Sequence, residues 1–401
     1  MDIKELRISE YTYNLPEEKI AKYPLEKRDE SKLLIYKKKT ISESVFKNIS
    51  TYLPQDHLLV MNNTKVIYAR LHFRKKTGAK IEIFCLNPYK PAEYNLAFEA
   101  KKVCQWQCIV GNLKKWKEEK LKLEFSDSTK THTLTAKKKA IEKNNVIIEF
   151  EWDGDFTFAE VLEKIGEIPI PPYLKRESEE EDKQRYQTIY SKLEGSVAAP
   201  TAGLHFTQEV LDDLKSKGIH TAELTLHVGA GTFKPVKSEK IAEHEMHTEQ
   251  FYVTKETIVR IKNSLGKIIS VGTTSMRTLE SLYWIGVKLF SKKSNPTHIE
   301  QWEVYNLPRL SVLEAFDAIL NYLDDENKNY LKAKTQIIIV PGYEFKVVDI
   351  LVTNFHQPQS TLLLLVAAFV GNDWKKIYNY ALENNFRFLS YGDSSLLFRN
   401  E

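Results

Sequence analysis

The sequence is poor in cysteine, with only Cys85, Cys104 and Cys108 in 401 residues. Such an odd, sparse set makes no disulfide framework, and it suits a reducing compartment, so the expected location is the cytoplasm. Long apolar runs are missing too. The longest, from Leu362 to Val370, falls far short of the roughly 20 residues that span a bilayer, so no transmembrane helix is expected. The opening MDIKELRISE has no apolar core of a secretory signal. Glycine and proline are modest, at 15 and 14, which excludes collagen-like and low-complexity classes. What is present is 42% hydrophobic and 28% charged sequence, enough for a real core and for two or three domains.

The net charge is only +4, but it is unevenly placed. Between Leu71 and Phe150 there are about 17 Lys and Arg against about 9 Asp and Glu, and the rest of the chain is slightly acidic. A basic module is the footprint of a polyanion partner, or else a solvated surface that aids solubility. The same stretch reads as β structure, with short runs at 80–86, 105–110, 120–125, 131–136 and 145–152. Evenly spaced strands joined by polar links predict a small antiparallel barrel. Its connections carry Lys114, Lys115 and Lys117, placed to hold RNA backbone.

The flanks differ. An apolar strand at 58–61 precedes a polar Asn62-Asn63-Thr64 turn, and 158–165 has helical spacing. The proline-rich IPIPPYL must run extended, and the charge-dense ESEEEDKQR reads as an exposed loop or helix start. From Gly195 onward strands (221–228, 267–271, 335–341, 350–353) alternate with helices (208–217, 257–265, 274–284, 312–323, 361–369, 373–383). The expected fold is therefore α/β: a main domain of residues 1–70 and 153–401, interrupted by a barrel inserted at 71–152.

Several motifs are suited to chemistry. GSVAAPTAGLHFT, from Gly195 to Thr207, is dominated by small residues that let backbone approach a ligand; it holds Thr201, Gly203 and His205. A tight structural loop is the alternative. LHVGAGTFKP carries His227, Gly229, Gly231 and Thr232, where a strand meeting a glycine turn can present N–H groups to an anion, or simply form a β-turn. HEMHTE contains His244, His247 and Glu249. Its histidines are three apart and would share a face of a helix, but they lack the four-residue spacing of zinc helices. A metal site, a proton-transfer cluster and structural hydrogen bonding all stay open. In IISVGTTSMRTLE a strand meets Thr273, Thr274 and Ser275, with Arg277 one turn on, more hydroxyls than capping needs and a candidate anion site. VTNFHQPQST places Asn354 and His356 at a strand's carboxyl end, where α/β ligands sit, and FLSYGDS adds Tyr391 and Asp393.

Taken in order, these motifs resemble the S-adenosylmethionine:tRNA ribosyltransferase-isomerases of queuosine biosynthesis. LPEEKIAKYPLEKRDESKLL, LLVMNNTKVIYARL, IPIPPYLKR, RYQTIY, PGYEFKVVDILVTNFHQPQSTLLLLVAAF and FLSYGDSSLL extend the resemblance over nearly the whole chain. Departures stand at Asn63, Lys65, Tyr68 and Gln357, where the family often has Asp, Arg, Pro and Leu, and the stretch 287–334 looks longer than in compact members.

The resemblance implies an α/β domain with an inserted barrel. It implies transfer of the ribosyl part of S-adenosylmethionine onto 7-aminomethyl-7-deazaguanine at the wobble position of tRNA with a GUN anticodon, giving epoxyqueuosine, adenine and methionine. S-adenosylmethionine would be a consumed co-substrate, with no metal or other cofactor, no membrane and a monomeric enzyme. That chemistry needs a base near neutrality, a donor for adenine and a holder for the methionine carboxylate. His205, His227, His244, His247 and His356 are expected to move protons, with Glu249 orienting a histidine. Thr273, Thr274 and Arg277 are expected to hold an anionic group, and Asn354 and Asp393 to hydrogen-bond a base or ribose. The rival readings are a metal-dependent hydrolase built on HEMHTE and a noncatalytic tRNA binder.

Overall fold

The structure is a computed structural model that describes residues 5–117, 120–127, 130–142, 145–229, 236 and 238–399. Among these residues two large sheets, together with a two-stranded parallel pair of Thr64–Val66 and Leu193–Ser196, carry a mixed α/β fold. The larger has ten strands in the order His298–Ile299, Tyr330–Thr335, Glu249–Thr254, His220–Leu226, Leu58–Asn62, Ile268–Val271, Ile350–Asn354, Ser394–Phe398, Lys32–Lys37 and Thr40–Val45. Its centre, from His220–Leu226 to Ile350–Asn354, is parallel. Both faces are covered, so the three inner strands Leu58–Asn62, Ile268–Val271 and Ile350–Asn354 are buried at every position and mostly apolar. Successive residues still go to opposite sides: Leu58 and Val60 enter one core with helices Gly272–Phe290 and Thr361–Val370, and Leu59 and Met61 enter the other with helix Gln208–Ser216.

The smaller sheet is antiparallel, in the order Arg70–Arg74, Lys80–Lys90, Val103–Gly111, Asn145–Trp152, Thr131–Glu142 and Leu121–Ser126. Its first and last strands lie side by side, so it is nearly closed into a barrel. Alternate residues fill it: Cys104, Trp106 and Cys108 from one strand, Val146, Ile148 and Phe150 from its neighbour. The capped helix Phe158–Ile165 packs Phe158 and Leu162 into the same core. All three cysteines are buried, unbonded thiols.

Three expectations from the sequence are corrected. The strand predicted at 335–341 ends at Thr335 and begins at Tyr330. The apolar run Ile337–Val340 leaves the sheet and is buried irregularly, with the Ile337 N–H satisfied by Thr335 Oγ1 at 3.1 Å. An apolar run reports burial, not element type. The HEMHTE histidines share no helix face, because a short turn at Ile241–Glu243 ends before an extended His244, and a strand starts at Glu249. The acidic ESEEEDKQR segment does start a short helix, Asp182–Arg185, but it is not wholly exposed. Asp182 is buried, receiving Arg176 in a two-pronged pair at 2.6 and 2.7 Å. Outside the predicted set, Lys32–Lys37 and Thr40–Val45 form a hairpin through Lys38 and Lys39, both in left-handed conformation. Two lysines carry none of the Asn-Gly signal by which such turns are recognised.

Candidate functional site

Strands Ile268–Val271 and Ile350–Asn354 run parallel and end together. The first passes through Gly272, at φ +85°, into helix Gly272–Phe290, which brings Thr273 and Thr274 to its opening turn. The second runs on into Phe355, His356 and Gln357. Between these ends lies a cavity that opens to solvent. Ala198 to Ala202, Tyr173, Tyr186, Leu389 and Ser390 complete its wall. Small side chains on one wall and aromatic rings on another leave room for a flat, ring-bearing ligand. Thr274 Oγ1, Asn354 Oδ1 and the Tyr186 hydroxyl are buried here without a hydrogen-bond partner. Unpaired buried polar atoms are costly and rare, and three of them lining one cavity mark where a ligand would bond.

The five histidines divide. Among the described residues His356 alone of them lines the cavity; its Nε2 lies 3.0 Å from Thr353 Oγ1. His205 stands behind the wall, between Ser31 Oγ at 2.8 Å and the Asn354 amide nitrogen at 3.1 Å. His227 packs against Tyr94, ring centroids 4.5 Å apart, with Nδ1 3.1 Å from Thr64 Oγ1. A side chain at Gly195 would fall 2.4 Å from the His227 ring, so glycine there is a packing requirement. Burial pushes His205, His227 and His356 each down to about 3. All three are therefore neutral imidazoles at physiological pH.

His244 and His247 flank a separate network. Glu249 is buried and ion-paired with Arg277, accepts from the Gly229 N–H at 3.3 Å, and has His247 Nε2 3.1 Å from Oε1. Burial alone would raise its pKa, but the Arg277 guanidinium and His247 hold it down at about 2. His244 is lowered by burial and by His247. Arg277 also donates through Nε to the Ile337 carbonyl, which leaves Nη2 buried and without a partner. Arg277 does not line the cavity with Thr273 and Thr274. Among the described residues no three His, Cys, Asp or Glu side chains converge as a metal site requires.

Thr201 lines the cavity, whereas Gly203 packs beneath Tyr190, where a Cβ would lie 2.0 Å from the hydroxyl. Gly229 meets Glu249 through its N–H; Gly231 and Thr232 lie outside the described residues. Asp393 accepts from the backbone of Lys32 and Arg387 and from the Arg387 side chain, shaping the turn before Ser394–Phe398. Tyr391 donates to Asp182 at 2.7 Å. Lys114 and Lys115 sit in the short turn Leu113–Lys115 between barrel strands, and Lys117 follows it; all three are exposed. Tyr173 and Tyr186 were not read from the sequence as site residues. Their signal, two tyrosines flanking a charged loop, is too common to single out. A second cleft holds Arg28, Arg185 and Arg387, which nothing in their local sequence joins.

The profile of a family described as "Queuosine biosynthesis protein" matches residues 8–397. A protein of Sulfurihydrogenibium sp. (strain YO3AOP1) named S-adenosylmethionine:tRNA ribosyltransferase-isomerase is 40% identical over 400 residues, covering 98% of this chain and all of that one. A protein of the same name from Thermosipho melanesiensis is 40% identical over 401 residues, again 98% of this chain and all of the relative. The crystal structure of S-adenosylmethionine tRNA ribosyltransferase from Thermotoga maritima aligns with 97% of this chain and all of its own, at 29% identity and a TM-score of 0.46.

Proposed function

The chain belongs to the queuosine biosynthesis family, and from that premise we propose that the cavity between Thr274 and Asn354 seats S-adenosylmethionine. The activity is that of the S-adenosylmethionine:tRNA ribosyltransferase-isomerases. The ribosyl group moves from the sulfonium nucleoside to the aminomethyl nitrogen of 7-aminomethyl-7-deazaguanine at the tRNA wobble position, and it rearranges to epoxyqueuosine as adenine and methionine leave. The metal-dependent hydrolase and the noncatalytic binder have no support.

The observation that carries the assignment is the set of unpartnered polar atoms in the cavity, on Thr274, Asn354 and Tyr186. The Thr274 hydroxyl can donate or accept, and the Asn354 carbonyl oxygen can only accept. Together they suit an adenine or ribose edge, while Tyr173 and Tyr186 offer ring faces. A sulfonium acidifies the C5′ hydrogens beside it, so a base must stand near C5′. We assign His356 to that contact, because among the described residues it alone of the five histidines borders the cavity, with Thr353 beside it. His205 then serves as a positioning residue, acting through Asn354. His227 and the His244–His247–Glu249 group lie outside the cavity lining and hold the surrounding frame.

Residues 71–152 are read as a barrel module inserted in the α/β domain, with Lys114, Lys115 and Lys117 drawing in the RNA backbone. The tRNA class with GUN anticodons, a monomeric state, a cytoplasmic location and S-adenosylmethionine as the sole small-molecule requirement belong to the same reading. No helix among the described residues is long and apolar enough to cross a membrane.

The test is incubation with S-adenosylmethionine and precursor-modified tRNA, followed by chromatography for adenine and mass analysis of the wobble nucleoside. Equal release of adenine and formation of epoxyqueuosine is expected. Thr274→Val should raise the KM for S-adenosylmethionine by about tenfold, the worth of one good hydrogen bond. An unchanged KM in Thr274→Val removes the cavity assignment, and tRNA left unmodified by the wild-type protein removes the function.

A further inference from the structure

A second, narrow cleft lies behind the cavity wall. Ser390 borders both spaces, but His205 lines only the cleft and Asn354 only the cavity, so the hydrogen bond between them stands as a partition. Three arginines from distant parts of the chain, Arg28, Arg185 and Arg387, converge on the cleft. Their charges are incompletely matched. Among the described residues Arg28 has no carboxylate within ion-pair distance, and its Nη1 donates only to the Gln187 carbonyl at 3.1 Å. Arg185 spends Nη1 and Nη2 on the carbonyls of Glu26 and Leu25, its Nε is buried without a hydrogen bond, and its nearest acid is the exposed Glu181 at 3.8 Å. Arg387 alone has a close partner, Asp393 at 3.1 Å. Asp182, which meets Tyr391, is already claimed by Arg176.

Three guanidiniums and one committed carboxylate leave a surplus of positive charge in a partly enclosed space. Burial pushes the pKa of Arg28 below its ordinary value, and repulsion from Arg185 beside it adds to the shift. An anion would relieve that repulsion, and guanidiniums match the oxygens of phosphate in paired hydrogen bonds.

We propose that the Arg28–Arg185–Arg387 cleft is a binding site for a backbone phosphate of the tRNA substrate. A small co-substrate in the cavity is separated from the arginines by the His205–Asn354 partition. A polynucleotide crossing the surface meets them directly, because Arg185 and Arg387 keep 19% and 30% of their side chains exposed. The site would thus fix the tRNA backbone while its wobble base enters the neighbouring cavity. This proposal rests on the tRNA-modifying reading of the chain.

Arg28→Gln is the variant of choice, because Arg28 makes no ion pair whose loss would unfold the protein. Binding of precursor tRNA is measured against salt for the wild type, Arg28→Gln and Arg28→Lys, with S-adenosylmethionine affinity measured by calorimetry on the same samples. Arg28→Gln is expected to bind tRNA about tenfold more weakly, with a salt slope shallower by about 1. Arg28→Lys should recover the slope, and S-adenosylmethionine affinity should stay within about twofold of wild type. Normal tRNA affinity and slope in Arg28→Gln would overturn the site while leaving the activity intact. Weakened S-adenosylmethionine with unchanged tRNA would overturn it in favour of the methionine carboxylate. A wild-type protein that binds no tRNA would overturn the functional reading as well.

Discussion

The Asn354 side-chain nitrogen lies 3.1 Å from both His205 Nε2 and the Leu389 carbonyl oxygen, so one amide group ties a buried histidine to the wall of the cavity. Because that nitrogen donates, the network assigns the imidazole proton to Nδ1, which donates to Ser31 Oγ at 2.8 Å. The same geometry turns Asn354 Oδ1 away from both partners and leaves it unpaired. Asn354→Ala should therefore have two effects. It strands two buried acceptors, costing about 1–3 kcal/mol, and it removes a ligand acceptor. Urea unfolding and the KM for S-adenosylmethionine should both worsen; a loss of stability with an unchanged KM would leave Asn354 a purely structural residue.

Acid stability should be set by the buried histidines. His205 and His227 each fall from an ordinary value near 6.5 to about 3 in the folded chain. Below about 6.5 the unfolded chain therefore binds protons that the native chain refuses. Their contribution is complete above that value and drains away as pH falls toward 3, at up to about 1.4 kcal/mol per pH unit for each histidine. Glu249 acts in a lower window: held at about 2, it loses its contribution between the ordinary carboxylate range and 2. Stability measured by denaturant at pH 7, 6 and 5 should fall steadily. His227→Asn should reduce the slope by about one proton, and a slope equal to wild type would show that His227 titrates in the native state.

The Glu249–Arg277 pair is buried on both sides, with side chains 1% and 6% exposed. Breaking such a pair leaves a charge with no solvent to receive it, a loss of about 3–5 kcal/mol. Arg277→Met should be destabilised by that order, and the Glu249→Gln/Arg277→Met double variant should recover much of it. Denaturation midpoints of the four proteins form the cycle; additive losses would show that the two side chains do not act as a pair.

Much of this was legible in the sequence, for identifiable reasons. The barrel strands alternate cleanly, as in Val103–Gly111, so their period announced them. The motif at 268–280 was readable because a β run, a glycine and hydroxyls occur in the order that strand, bend and helix start require. The cavity's Thr273, Thr274, Asn354 and His356 all follow strand ends, where ligands gather in α/β sheets. The pairing of Arg277 with Glu249 was not legible, because the two lie 28 residues apart, one on a helix and the other on a strand, and only tertiary packing brings them together. The arginine cleft was hidden for the same reason: Arg28, Arg185 and Arg387 share no local pattern, and their meeting is a product of tertiary structure alone.

The barrel offers the last test. Lys114 and Lys115 occupy a tight turn that Asn112 enters in left-handed conformation, and Lys117 follows the buried Trp116. The anchoring of Trp116 keeps the exposed lysines close together, and Lys138 reinforces the turn by donating to the Trp116 carbonyl at 2.7 Å. A cluster held in this way should attract polyanions without reading their sequence. Replacing Lys114, Lys115 and Lys117 together by Ala should weaken tRNA binding and flatten its dependence on log salt by up to about 2, since each phosphate neutralised on a single strand contributes about 0.7. Affinity for S-adenosylmethionine and the melting temperature should hold, because none of the three lines the cavity or belongs to the core. If the triple variant keeps the full salt slope, the RNA lies on another face of the molecule, and the charge surplus of the barrel serves solubility instead.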